Sequence, residues 1–90
     1  MIEGFNLAAT ERANRISWRR QASICRAHQQ MLVDGAPNGL WIRAVAHPTA
    51  LRPYYVVMPS GRILEQKFPR LLEAKSAAIL ELAKETTCTE

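Results

Sequence analysis

The chain has 90 residues, of which 48% are hydrophobic and 22% are charged, enough for one small hydrophobic core and too few for a second domain. Its 12 Lys and Arg residues exceed its 8 Asp and Glu residues and give a net charge of +4, which favours nucleic acids or acidic proteins as partners. Two cysteines make no disulfide framework, and no apolar run approaches the roughly 18 residues of a membrane span, so we expect a cytoplasmic protein without membrane contact.

The first predicted element is a long N-terminal helix, preceded by an arm over residues 1–8. Asn6 and Thr10 are both candidate N-caps, and Gly35 stands where a helix C-cap favours glycine. The roughly 25 residues between these positions contain neither proline nor glycine, which are the residues least favoured inside a helix.

Three strands are predicted next, over residues 40–47, 54–58 and 62–68. The first alternates in polarity and the second is dense in aromatic and β-branched residues. A Pro-Ser-Gly sequence between the second and the third supplies the turn of a hairpin. In the third strand we expect Leu64 and Phe68 to face inward.

A final helix follows Pro69, because a proline costs nothing at the first position of a helix. Its apolar residues recur on one side up to Glu85, and residues 86–90 are expected to form a frayed tail. The order of helix, three antiparallel strands and helix predicts a single α+β domain over residues 1–90, with both helices on one face of the sheet.

Helical spacing places four arginines on one side of the predicted first helix. Glu11 is the only acidic residue between residues 4 and 33, so an acidic partner would relieve the repulsion among these cations. Guanidinium groups match both phosphate oxygens and carboxylates. The alternative is a solvated helix face whose arginines bind nothing. The residues of this arginine ridge are Arg12, Arg15, Arg19 and Arg26.

A second apolar stripe runs along the same predicted helix, opposite the stripe that would pack on the sheet. This stripe must also be buried against another surface. The alternatives are a second copy of the chain, another protein, or the final helix together with Phe5. The residues of this seam are Trp18, Ala22, Cys25 and Leu32.

The outer face of the predicted sheet collects aromatic and basic side chains at alternate positions. Such a patch can stack on bases and hold phosphates. The same residue types also form ordinary cross-strand pairs. The patch contains Trp41, Arg43 and His47, with one of Tyr54 and Tyr55 and with Arg62 as further members.

No arrangement of residues in the sequence indicates catalysis. The acidic residues are scattered, and the glycines at 35, 39 and 61 are isolated turn residues rather than a phosphate-binding loop. Cys25 and His28 form one metal-ligand pair, with His47 or Cys88 as further ligands, whereas zinc sites usually use two such pairs. We therefore expect no enzyme activity, no metal and no cofactor, and a buried Cys25 beside an exposed His28.

Two functions fit these features. The first is a small basic nucleic-acid-binding accessory or regulatory protein, which holds the phosphates of DNA or RNA with the arginine ridge and adds base contacts through the sheet patch. The second is a protein-interaction module, such as a small inhibitor or adaptor of the kind that phages and mobile elements encode. In that case the ridge and the seam bind an acidic surface of a host protein.

Overall fold

The structure of the protein is a computed structural model that describes residues 6–87. Most of the predicted N-terminal arm, and part of the predicted tail with Cys88, lie outside the described residues. Within residues 6–87 the strands form one antiparallel sheet in the order β1-β2-β3-β4. The elements are α1 (Leu7–Ala13), β1 (Ile16–Gln21), β2 (His28–Val33), β3 (Ala36–Ala44), β4 (Tyr54–Val57) and α2 (Leu71–Thr87).

The α+β class and the position of the helices are confirmed. Helix α1 packs beside β1, and α2 lies against β3 and β4. Trp18 of β1 touches both helices, because its indole N–H donates to a carboxylate oxygen of Glu11 at 2.5 Å and the Lys75 ammonium lies 5.2 Å from its ring centroid. Both helices therefore cover the same face of the sheet.

The predicted long N-terminal helix is wrong, because α1 has only 7 residues. Asn6 caps this helix as predicted, since its side chain accepts a hydrogen bond from the Ala9 backbone N–H at 3.0 Å. The helix ends at Ala13, and Arg15 adopts a left-handed φ of 57° that turns the chain into β1. The residues predicted to continue the helix instead pair with each other as β1 and β2.

The glycine that was predicted to cap this helix closes a hairpin instead. Asp34 and Gly35 have φ values of 54° and 81° and connect the paired residues Val33 and Ala36 of β2 and β3. Two consecutive residues with positive φ define a type I′ turn, for which Asp-Gly is a preferred sequence. The described sheet thereby has four strands where three were predicted.

The first two predicted strands are confirmed as β3 and β4, although β3 begins earlier, at Ala36. The third predicted strand is wrong, because residues 62–68 form only isolated bridges to the outer edge of β4. Leu64 and Phe68 nevertheless face inward as expected, since Phe68 belongs to the core and Leu64 packs against it.

The core lies between the sheet and α2. Two alanines of α2, Ala74 and Ala78, are fully buried, and such small side chains allow a helix to lie close to a sheet. Strands β2, β3 and β4 each turn apolar side chains toward this core, and the segments after β4 add Met58 and Phe68. The core contains Met31, Leu40, Ile42, Val56, Met58, Phe68, Ala74, Ala78 and Ile79.

Candidate nucleic-acid interface

One face of the sheet carries no helix within residues 6–87, because α1 and α2 both pack on the other face. Among the side chains on the uncovered face, strand pairing aligns eight in two rows that cross the strands. We call this surface the open face. Its first row is Arg19, Gln30, Trp41 and Val57, and its second row is Gln21, His28, Arg43 and Tyr55.

Burial separates the two faces of the sheet. Ile42 and Val56 point toward the helices and are 0% exposed, whereas their chain neighbours Trp41 and Val57 remain partly exposed on the open face. An antiparallel sheet that packs on one side commonly presents its other side to solvent or to a ligand. The open face is therefore a partly exposed surface on the side of the sheet opposite the core.

Arg43 stacks on Trp41 at the centre of the open face. The two residues are two positions apart on β3, and Cζ of Arg43 lies 4.9 Å from the centroid of the Trp41 ring. A guanidinium at this distance is attracted by the ring electrons. This contact uses none of the guanidinium N–H donors of Arg43, and no hydrogen bond within residues 6–87 engages them, so they are available to a ligand.

His28 lies in the second row beside Arg43. Its Nδ1 accepts a hydrogen bond from the Ala44 backbone N–H at 3.0 Å, which requires an Nδ1 that carries no proton. Partial burial, and secondly the charge of Arg43, lower the pKa of His28 below its usual value. At neutral pH the positive charge of the open face therefore comes from arginines rather than from this histidine.

The strands of the sheet carry positive charges and no negative ones. Its strands contain Arg19, Arg20 and Arg43 and no carboxylate. Within residues 6–87, neither Arg19 nor Arg43 takes part in an ion pair. This charge pattern favours an anionic ligand on the open face. The described carboxylates lie on the helices and in the connections, at Glu11, Asp34, Glu65, Glu73, Glu81 and Glu85.

Arg62, a predicted member of the outer patch, is held on the helix side instead. Its Nη2 donates to Glu85 at 2.6 Å and to Glu81 at 2.9 Å, which fixes the segment after β4 against α2. These hydrogen bonds, that to Glu85 most strongly, raise the pKa of Arg62, and the bond from Arg62 lowers the pKa of Glu81. Arg62 therefore has its counter-charges within the fold.

The arginine ridge predicted on one helix does not exist, because its four residues lie on different parts of the chain. Arg12 is in α1, and Arg15 lies in the turn before β1, where it pairs with Asp34 at 3.3 Å. Arg26 lies in the loop between β1 and β2. Arg19 alone of the four is on the open face, where the sheet register places it in the same row as Trp41.

The predicted seam does not exist either. Trp18 faces the helices, whereas Leu32 lies on the opposite face of the sheet. Ala22 and Cys25 are exposed in the loop after β1. A second copy of the chain, which was one of the alternative covers for this seam, therefore loses that basis. The expected buried Cys25 and exposed His28 are reversed, since Cys25 is exposed and His28 is partly buried.

Arg26 joins the two long loops at one end of the sheet. Its guanidinium donates to the backbone carbonyl oxygens of His47 at 3.1 Å and of Pro48 at 3.3 Å, both in the loop between β3 and β4. Each loop exposes one aliphatic side chain: Ile24 in the first loop is 86% exposed, and Leu51 in the second is 88% exposed. His47 thus lies in a loop and not on the open face.

Trp41 and Arg43 lie together on the uncovered face, as the alternation of β3 predicted. Tyr55 is the tyrosine that shares this face with them, since it pairs with Arg43 whereas Tyr54 pairs with Ala44.

Four members of the open face were not predicted as site residues from the sequence: Gln21, His28, Gln30 and Val57. Once residues 16–21 and 28–33 are treated as strands, alternation places Gln21 on the same face as Arg19, and His28 on the same face as Gln30.

Comparisons with protein-family models, with characterised proteins and with solved structures give no match. Among residues 6–87, no group of three or more His, Cys, Asp or Glu side chains could hold a metal ion. None of the described helices has the length and apolarity needed to cross a membrane. The fold and the site together define a small α+β domain whose antiparallel sheet is covered on one side and basic on the other.

Proposed function

We propose that this protein is a small basic nucleic-acid-binding accessory or regulatory protein that binds through the open face of its sheet. The observation that carries the proposal is the placement of Arg19, Trp41 and Arg43 on an uncovered face whose strands contain no carboxylate. The predicted function is thus kept, while the surface assigned to it moves from a helix to the sheet.

The chemistry of the open face suits a nucleic acid better than a small anion. Phosphate contacts by arginine release counterions and supply most of the affinity of non-specific binding. Trp41 and Tyr55 add aromatic surface, and Gln30 adds an amide that can donate and accept. A ligand with both phosphates and base edges can use all three kinds of group together.

The test is fluorescence anisotropy with labelled nucleic acids of about 20 units, titrated at two salt concentrations. The Arg19→Ala/Arg43→Ala variant should weaken binding and reduce the slope of log K against log salt by about one to two units. The matched control is Arg12→Ala/Arg70→Ala, which removes the same charge from exposed positions in α1 and immediately before α2.

The control variant separates a defined surface from a net-charge effect. We expect it to bind as the wild type does, apart from a small uniform loss. If both variants lose affinity equally, binding follows net charge and the open face is not the site. If the wild type binds no tested nucleic acid, the proposed function is wrong.

One observation favours a second candidate function, a protein-interaction module. Ile24 and Leu51 are exposed in neighbouring loops that Arg26 ties together, and Arg52 is exposed beside Leu51. Exposed aliphatic groups next to arginines fit a partner protein with an apolar patch bordered by carboxylates. This candidate predicts a salt-sensitive capture from host lysate that Ile24→Ser/Leu51→Ser abolishes and Arg19→Ala/Arg43→Ala leaves intact.

A further inference from the structure

We infer that the ligand of the open face is duplex DNA in the B form, and that this face enters the major groove and reads base edges through hydrogen-bond donors. The inference rests on the proposed nucleic-acid function and narrows it to one class of ligand. The observation behind it is the stacking of Arg43 on Trp41, which determines what the two side chains can offer a nucleic acid.

Arg43 covers one of the two ring faces of Trp41 on which an unpaired base could stack. Proteins that bind single strands use exposed aromatic ring faces on which bases stack. Here the guanidinium already lies over one face, with Cζ 4.9 Å from the ring centroid, so that face is closed to a base. The ring instead acts as a support that holds the planar fork of Arg43 in one orientation.

The other donors of the open face match the major groove. Arginine pairs in a bidentate manner with O6 and N7 of guanine, and glutamine pairs with N6 and N7 of adenine. Arg19 and Gln21 on β1, Gln30 on β2 and Arg43 on β3 supply two residues of each type. Within residues 6–87, no hydrogen bond engages the side-chain amides of the two glutamines, so they are available to a ligand.

The spacing of these donors also fits the groove. Neighbouring strands lie about 4.8 Å apart, so the four donors on β1 to β3 span roughly 10 Å, which is within the groove width of about 12 Å, and β4 lies beyond one end of this set. Residues two apart on one strand are separated by about 6.6 Å, which corresponds to about two base-pair steps. Duplex RNA is disfavoured because its major groove is too deep and narrow for side chains to read.

The first experiment compares the full chain on three probes of one sequence: duplex DNA, duplex RNA and single-stranded DNA. We expect duplex DNA to bind at least about tenfold more tightly than the other two, in line with readable major-groove edges. Equal or tighter binding of either competitor overturns this inference while leaving the proposed function standing. Failure of all three probes contradicts the proposed function itself.

The second experiment tests Arg43 as the reading residue. Duplexes selected by the wild type from a randomised pool should share a guanine whose replacement by 7-deazaguanine weakens binding about 5- to 150-fold. Arg43→Met keeps a long side chain but removes every N–H donor, so it should bind both duplexes alike. Arg70→Met, just before α2, removes the same charge and is the control, which should still discriminate between them.

Two results would contradict this assignment. One is a wild type that binds the 7-deazaguanine duplexes as well as the natural ones. The other is an Arg43→Met variant with unchanged thermal unfolding that still discriminates between them, because discrimination would then come from another residue. Thermal unfolding of every variant is measured alongside, so that loss of folding is recognised as such.

Discussion

At the scale of single residues, His28 connects the stability of the sheet to pH. Its Nδ1 accepts the Ala44 backbone N–H, and this hydrogen bond is lost when the ring gains its second proton. Burial and the charge of Arg43 lower the pKa of His28 from its usual 6.5, so the unfolded chain binds this proton more readily than the folded chain. Stability from this group is complete above pH 6.5 and declines as pH falls through the folded pKa.

We therefore predict that the melting temperature falls between pH 7.5 and pH 5, and that His28→Asn reduces this fall. An asparagine can still accept the Ala44 N–H through Oδ1 but does not titrate in this range. Thermal unfolding followed by circular dichroism at several pH values measures the difference. A variant with the same pH dependence as the wild type would show that His28 does not govern it.

At the scale of elements, the turn between β2 and β3 allows a prediction about stability. Gly35 has a φ of 81°, and a Cβ added there would meet nothing within 4 Å, so backbone strain is the main effect of a side chain. Gly35→Ala should lower the free energy of unfolding by about 1 to 2 kcal/mol. The control is Asp34→Asn at φ 54°, because asparagine tolerates this region and the change should have a much smaller effect.

Denaturant titration of these two variants measures the effect. Equal stability of Gly35→Ala and the wild type would mean that the Asp34-Gly35 turn does not have the described conformation. The long helix predicted from the sequence needs Gly35 only as its C-cap, whereas the hairpin needs it to pair two strands. Because a C-cap glycine also adopts a positive φ, the variant tests the backbone conformation at Gly35 and not the choice between these two folds.

Local sequence predicted the C-terminal helix correctly but did not predict the first two strands. Residues 71–85 repeat at helical spacing, and α2 forms there as predicted. Residues 16–33 contain arginine, alanine, glutamine and isoleucine, whose intrinsic helix preference is adequate. Pairing of β1 with β2, together with burial of Met31, outweighs that preference, and such pairing across a loop leaves no local signal.

The candidate site was predictable to a similar extent. Trp41 and Arg43 follow from strand alternation within β3, which needs only local information. Arg19 was chosen for its helical spacing and reaches the open face for a different reason, the register of β1 against β2. His47 continued the alternation in the sequence, but β3 ends at Ala44, so the chain leaves the face before that residue.

At the scale of the whole molecule, the proposed function depends on burial of one side of the sheet and not of the other. Val56 and Val57 test this with one substitution at adjacent positions of β4. Val56 is 0% exposed in the core, whereas Val57 lies on the open face opposite Trp41. Val56→Ala removes buried methyl groups and leaves a cavity, which should cost about 2 kcal/mol. Val57→Ala should cost less than about 1 kcal/mol, because its side chain is already partly in water.

Chemical denaturation of both variants measures these stability costs. Nucleic-acid binding by the same samples measures how each substitution changes the affinity of the open face. We expect Val57→Ala to change binding more than stability, since the lost side chain borders Trp41 in the first row of the open face. Val56→Ala should change stability and leave the affinity of the folded fraction unaltered. Equal stability costs at the two positions would mean that the open face is covered in solution, by a second copy or by another part of the chain, and would remove the basis of the proposed site.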